Sequence, residues 1–234
     1  MAGPLRVSVA VLAGGMGIRA GGNLPKPFRA VLGKPLILYA LEAFDAMPEV
    51  LTLRVAVPAE HRSTLNEIMD LHPLRVYRGC VQGGNTRARS ALAALRALEA
   101  DRPDVVLVHD AARPIVSVGE ARALLDALPG HQGAILAARA VDTLWKVSED
   151  AHLEEVADRR SLVRALTPQA FPYDVLREAY ERGVEEGFEG TDDASYVRHM
   201  GGDVVWVTGT SKNIKVTYEE DFALLEALLL GGRP

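Results

Sequence analysis

Lysine is scarce in this chain: five residues against 21 arginines. The five are Lys26, Lys34, Lys146, Lys212 and Lys215. A position that keeps lysine under such a bias is one where a compact ammonium suits the chemistry better than a planar guanidinium. Lys26 closes LAGGMGIRAGGNLPKPF (12–28), which also carries Arg19, five glycines and two prolines. Bare backbone amides and two cations in one loop suit an anion. Lys215 sits in the otherwise apolar NIKVT (213–217), where it either guards a sheet edge or points into a site.

Three chemistries compete for the first loop. Gly15-x-Gly17-x-x-Ala20 loosely satisfies a dinucleotide fingerprint, but that motif must open a helix, and Gly21, Gly22, Pro25 and Pro27 forbid one. A triphosphate P-loop of the Walker type fails, because Gly33-Lys34 is followed by Pro35 and Phe28 stands where the first glycine belongs. The third reading wraps the loop around a triphosphate, with Arg19 and Lys26 where charge develops on a transferring phosphoryl group. The bland alternative is a solvated surface loop, although loops this long are usually functional or disordered.

Other motifs carry polar groups at suitable places. In VHDAARP (108–114), Asp110 ends a strand, either as a Mg²⁺ ligand or as the cap of the following turn. Arg113 either contacts phosphate or pairs with a carboxylate, and His109 is expected to be packed or hydrogen-bonded. GGNTRARS (83–90) opens a helix whose N-terminus can receive polar ligand edges. Arg89 reads as an exposed helix residue, whereas Arg87 fits a solvated face or a site equally well. In TDDAS (191–195), Thr191 reads as an N-cap, with Asp192 and Asp193 favouring the helix dipole.

These residues must be positioned by alternating elements. Strands are expected at 6–13, 51–58, 74–79, 104–110, 133–138, 203–209 and 213–217. Helices are expected at 35–47, near 59–70, and at 86–100, 118–128, 172–186, 191–200 and 218–230. Continuous apolar strands between amphipathic helices indicate a parallel sheet covered on both faces. Residues 139–166 break the rhythm and read as an extended arm on one α/β domain spanning 1–234. Trp145 and Trp206 are assigned to packing.

Composition narrows the partners. The 234 residues carry a formal net charge of -5, with 48 % hydrophobic and 24 % charged residues. No global basic field invites nucleic acid. The single cysteine, Cys80, excludes an internal disulfide and a cysteine-cluster zinc site, and suits a reducing cytoplasm. No apolar run approaches the roughly 18 residues of a membrane span. Val7–Ala13 after Arg6 is at the short limit for a signal peptide.

Five motifs in order resemble a known family. The loop at 12–28 is similar to the signature of sugar-nucleotide pyrophosphorylases, G-x-G-x-R followed by P-K. With VHDAARP, ALTPQAF (165–171), TDDAS and NIKVTYEED (213–221), the chain from about Val7 to Leu230 resembles the 2-C-methyl-D-erythritol 4-phosphate cytidylyltransferases of the non-mevalonate isoprenoid pathway. The resemblance implies a Rossmann-like, mostly parallel sheet with helices on both faces and a β-arm that forms a homodimer. It implies transfer of CMP from CTP to a sugar-alcohol phosphate, with Mg²⁺ on Asp110. Arg19, Lys26 and Lys215 would be catalytic. Ala13, Gly14, Gly15 and Gly17 would hold the nucleotide together with Gly84, Asn85, Ser90, Asp110 and Ala111. Arg113, Thr143, Arg159, Thr167 and Thr191 would hold the acceptor, with Thr143 and Arg159 reaching the partner's site and Arg160 adjacent.

The chain departs from the family pattern at Pro27, where glutamine is common, and at Asn85, where many members carry an acid. It also lacks the acid common shortly before N-I-K. A ribitol-5-phosphate cytidylyltransferase and a non-catalytic nucleotide-binding regulator are the alternatives on the same core. The short tail after the last helix leaves no room for a fused second enzyme.

Overall fold

The computed structural model describes residues 5–14 and 24–231. Eleven strands and seven α-helices follow in order: β1 (Val7–Leu12), β2 (Ala30–Val31), β3 (Lys34–Pro35), α1 (Leu36–Asp45), β4 (Val50–Val57), α2 (Arg62–Leu71), β5 (Tyr77–Gln82), α3 (Arg87–Leu98), β6 (Val105–Asp110), α4 (Val118–Ala127), β7 (Gly133–Arg139), β8 (Leu144–Val147), β9 (Leu153–Ala157), β10 (Val163–Pro172), α5 (Tyr173–Glu185), α6 (Asp193–His199), β11 (Val204–Thr208) and α7 (Glu220–Gly231). Seven strands form the main sheet in the order β11-β7-β10-β6-β1-β4-β5. All run parallel except β10, which is antiparallel to both β6 and β7.

The alternation of side chains along β1 sorts the core into two layers. Val7, Val9 and Val11 pack with Ile37, Leu41 and Phe44 of α1, Leu65 of α2 and Leu124 of α4. Ala10 and Leu12 face Leu92 and Leu95 of α3, Leu176 and Tyr180 of α5 and Tyr196 of α6. Every residue of β1 is therefore buried, which is why its sequence is apolar except for Ser8, whose hydroxyl pairs with that of Thr52 at 2.6 Å. Among the described residues no helix is long and apolar enough to cross a membrane.

The structure corrects two readings of the sequence. First, β10 is a central strand, whereas residues up to 166 were placed in the arm and no element was assigned to 167–172. Its register shifts between Ala165 and Gln169, where Pro168 has no N–H to give the ladder. Second, 213–217 is not a strand. The main sheet already ends at β11, and the segment is tied back by the Val216 amide, which donates to the Ala112 carbonyl at 2.8 Å. Gly33-Lys34, already excluded as a P-loop, belongs to a tight hairpin between β2 and β3, with φ of 49° at Leu32 and 81° at Gly33. Two successive positive φ values are what a two-residue primed turn needs.

The arm is the antiparallel pair β8–β9. Trp145, Val147, Leu153 and Val156 on it are all exposed. Trp145 and Trp206 were assigned to packing; both are in fact exposed over nearly half of their surface, and Trp206 lies beneath the Arg139 guanidinium.

Candidate active site

In β1–β6 pairing, Leu12 stands opposite Asp110, and in β1–β4 pairing opposite Ala56. The loop after β1 and the carboxylate ending β6 therefore leave the sheet at one rim. Between β1 and β6 the strand order also reverses, the place where open α/β sheets bind ligands. The amides of Ala13 and Ala111 donate to the carbonyls of Ala56 and Leu12, stitching this rim together. Of the residues assigned to the first loop, Gly15, Gly17 and Arg19 lie outside the described residues.

Three polar elements converge on Asp110. Lys215 Nζ donates to Asp110 Oδ2 at 2.8 Å. Arg87 Nε and Nη2 each lie 3.4 Å from Oδ1. The Asp110 amide donates to Thr167 Oγ1 at 3.2 Å. Burial pushes the Asp110 carboxyl up, but Arg87 and Lys215 outweigh it and hold it well below the usual carboxylate range. It is therefore an ionised, hard oxygen donor at neutral pH. Lys26 begins a short 3₁₀ turn (Lys26–Phe28), and its Nζ donates to the Thr217 carbonyl at 2.5 Å. The 213–217 segment thus brings the Lys26 and Lys215 ammoniums to one neighbourhood.

A relay behind Asp110 fixes its aim. His109 is fully buried, with Nε2 2.8 Å from the Arg113 carbonyl and Nδ1 3.0 Å from Thr167 Oγ1. A carbonyl only accepts, so Nε2 carries the proton, Nδ1 accepts, and the Thr167 hydroxyl donates to it. Burial lowers the imidazole from 6.5 to about 4, so it is neutral at pH 7. Thr167 was assigned to substrate, but it is buried and its hydroxyl is committed to His109 and Asp110. The register shift in β10 turns it toward β6.

Arg113 is also inward. Its Nη1 donates to the Asn213 carbonyl at 2.9 Å and its Nη2 reaches the Ala165 carbonyl at 3.4 Å. It holds the Lys215 segment against β10, and burial lowers its pKa. Asn213 adds a bond from Nδ2 to the Thr167 carbonyl at 2.8 Å.

The nucleotide-side turn is built on Ser90. Its buried Oγ donates to the Thr86 carbonyl at 3.0 Å. A Cβ on Gly14 would meet this oxygen at 3.1 Å, and one on Gly83 at 2.9 Å. Glycine at both positions leaves room for the ends of β1 and β5 to close over the start of α3 without displacing the Ser90 hydroxyl. Gly84 and Asn85 are exposed on the same turn, and Thr86 caps α3 through the Arg89 amide.

On the other side of Asp110, Asp192 and not Thr191 caps α6. Asp192 accepts from the Ser195 amide at 2.9 Å, and the Ser195 hydroxyl faces the Asp192 amide in a capping box. Three positions in a row could have capped; the serine three residues on selects the middle one. Thr191 is left exposed at the helix head. Gln169, fully buried on β10, accepts from the Ala194 amide and donates to Asp192.

Thr143 and Arg159 lie on the arm. Arg159 Nη1 donates to the Val141 carbonyl at 2.7 Å, while Arg160 pairs with Asp158. Among the described residues no hydrogen bond joins Thr143 or Arg159 to Asp110 or Lys215. Gln169 was not singled out from sequence, Asp193 was read only as favouring the helix dipole, and Arg87 was read as a solvated face or a site, because the side chains that fix their roles lie elsewhere in the chain.

No group of three or more metal-ligating side chains occurs among the described residues. One ionised carboxylate at a strand end still suits Mg²⁺, which takes one or two carboxylates and completes its shell with phosphate oxygens and water.

The fold is that of an α/β nucleotidyltransferase. The chain belongs to the 2-C-methyl-D-erythritol 4-phosphate cytidylyltransferase family, whose model matches residues 7–230. It is 37 % identical over 227 residues to the enzyme of that name from Geotalea uraniireducens, covering 96 % of this chain and 97 % of the relative. It is 38 % identical to a bifunctional enzyme IspD/IspF from Rhodopseudomonas palustris, matching 97 % of this chain but only 56 % of that longer protein. The crystal structure of 4-diphosphocytidyl-2C-methyl-D-erythritol synthase from Anaerococcus prevotii superposes with a TM-score of 0.84 at 25 % identity, covering 97 % of each chain.

Proposed function

We propose that the chain transfers CMP from CTP to the phosphate of 2-C-methyl-D-erythritol 4-phosphate, forming 4-diphosphocytidyl-2-C-methyl-D-erythritol and releasing pyrophosphate. The observation that carries this is the Lys215–Asp110 pair at 2.8 Å on the switch-point rim, with Lys26 bound to Thr217 beside it. Family membership supports the substrates.

An oxygen of the acceptor phosphate attacks the α-phosphorus of CTP, and the bond to the bridging oxygen of pyrophosphate breaks. A phosphomonoester is largely dianionic at pH 7, so the nucleophile needs no base. His109 could not act as one, since both its nitrogens are occupied and it is buried. The difficulty is charge: two polyanions must meet. Lys26 and Arg19 hold the α-phosphate and the leaving group, and Lys215 bridges the α-phosphate and the incoming phosphate. Mg²⁺, held by Asp110 and the triphosphate oxygens, would neutralise further charge. Gly84, Asn85 and the turn over Ser90 receive the cytosine, and Thr191 borders the acceptor.

The arm forms a homodimer in this reading, and places Thr143 and Arg159 at the partner's acceptor phosphate. Its exposed Trp145, Val147, Leu153 and Val156 support this, because such a cluster is unfavourable in water. The test is pyrophosphate release with CTP and Mg²⁺, comparing methylerythritol phosphate with ribitol phosphate. A preference for methylerythritol phosphate of at least tenfold in kcat/KM is expected; equal or inverted preference would give the protein to the ribitol reading.

A further inference from the structure

We infer that Arg87 is a positioning residue that ties the nucleotide half of the site to the acceptor half. The inference rests on the proposed cytidylyl transfer, which puts CTP at the α3 turn and the acceptor beside Thr191.

Arg87 is the first residue of α3. A cation there opposes the helix dipole, so the stability of α3 does not explain it. Its guanidinium crosses to α6 instead. Nη1 and Nη2 form a fork on the Asp193 carboxylate at 3.0 and 2.8 Å. Nη1 also lies 3.1 Å from the Tyr180 hydroxyl, which donates to the same carboxylate at 2.5 Å. Asp193 is completely buried, and Arg87 is its one ion-pair partner among the described residues. The remaining edge of the guanidinium faces Asp110 Oδ1 at 3.4 Å.

One planar cation thus spans α3, β6 and α6. A lysine could satisfy the buried carboxylate or reach Asp110, but an ammonium has no second edge to offer. The division of labour on Asp110 is informative: Lys215 takes Oδ2, and Arg87 faces Oδ1. When Lys215 turns to the incoming phosphate, Arg87 stays as the countercharge that keeps Asp110 aimed. At its other end the same fork fixes the head of α6, two residues beyond Thr191. Occupation of the α3 turn by a nucleotide is therefore felt at the acceptor side through a rigid bridge.

The test separates positioning from mere stability. Arg87→Met strands a buried carboxylate and should lower the melting temperature by about 10 °C. Adding Asp193→Asn removes the stranded charge, so the double variant should regain most of that loss. A bridge that served only stability would regain turnover with it. Positioning instead predicts that the double variant stays at least tenfold down in kcat, with acceptor KM raised at least fivefold. Its CTP dissociation constant by calorimetry should stay within threefold of wild type. Wild-type kcat and acceptor KM in the double variant would overturn the inference. Should the double variant remain unstable, Asp193→Asn alone decides: a fivefold rise in acceptor KM supports the tie, and an unchanged KM overturns it. Amide hydrogen exchange at 191–195 supplies a readout independent of the acceptor's identity. CTP should slow exchange there in wild type and not in the double variant. Absence of that protection in wild type overturns the tie, whereas failure of wild type to use methylerythritol phosphate overturns only the substrate reading.

Discussion

At the scale of single residues, the site is a problem in placing charge. Lys215→Ala removes the cation proposed to bridge the two phosphates, and kcat should fall by roughly 10²-fold or more, as for lost oxyanion-type donors. Near-normal turnover in the folded variant would remove Lys215 from the mechanism. Asp110→Asn should raise the Mg²⁺ concentration for half-maximal rate, which a metal titration at saturating CTP measures. His109 makes a different prediction. The folded imidazole protonates near 4, while the unfolded one protonates near 6.5. Between those values the unfolded state binds more protons, so stability falls as pH drops from about 6.5 to 4, by roughly 3 kcal/mol. Above about 6.5 this contribution is constant. The depressed carboxylates add a loss of the same sign at lower pH, so the comparison is with His109→Gln. Its stability, measured by urea unfolding, should decline less steeply between pH 6.5 and 4; identical slopes would contradict the buried neutral imidazole.

At the scale of elements, what was legible depended on whether a residue's role is local. β1, β4, β6 and β7 could be read because a strand covered on both faces is mostly apolar. The place of Asp110 at a strand end could be read because it closes an apolar run. β10 could not, since Arg164, Pro168 and Gln169 look like loop chemistry until the polar partners across the sheet are known. The 213–217 segment was misread for the opposite reason: its alternating β-branched residues look like a strand, but no strand is there to pair with it. Arg87 was ambiguous because the carboxylate it binds lies 106 residues away. Gln169 shows the cost of such long-range roles. Gln169→Ala would strand the Ala194 amide and open a cavity beneath the head of α6, with an expected loss of about 3 kcal/mol in urea unfolding. A loss under 0.5 kcal/mol would mean that the Gln169 clamp does not hold the helix.

At the scale of the whole molecule, the proposed pairing of two copies through the arm makes its own prediction. If Arg159 serves the partner's site, each site combines Lys26 of one chain with Arg159 of the other. Lys26→Ala and Arg159→Ala homodimers should each be nearly inactive. Purified mixed dimers of the two should recover about half of wild-type activity, because one site is then intact. Mixed dimers as inactive as their parents would confine the arm to adhesion. The transfer itself is tested most directly by phosphorus NMR with ¹⁸O-labelled acceptor phosphate, CTP and Mg²⁺. Direct attack by the acceptor phosphate requires a new pair of coupled diphosphate resonances, with ¹⁸O in the bridging position, together with free pyrophosphate. CMP and pyrophosphate without the coupled pair, or a product whose bridge has lost the label, would contradict it.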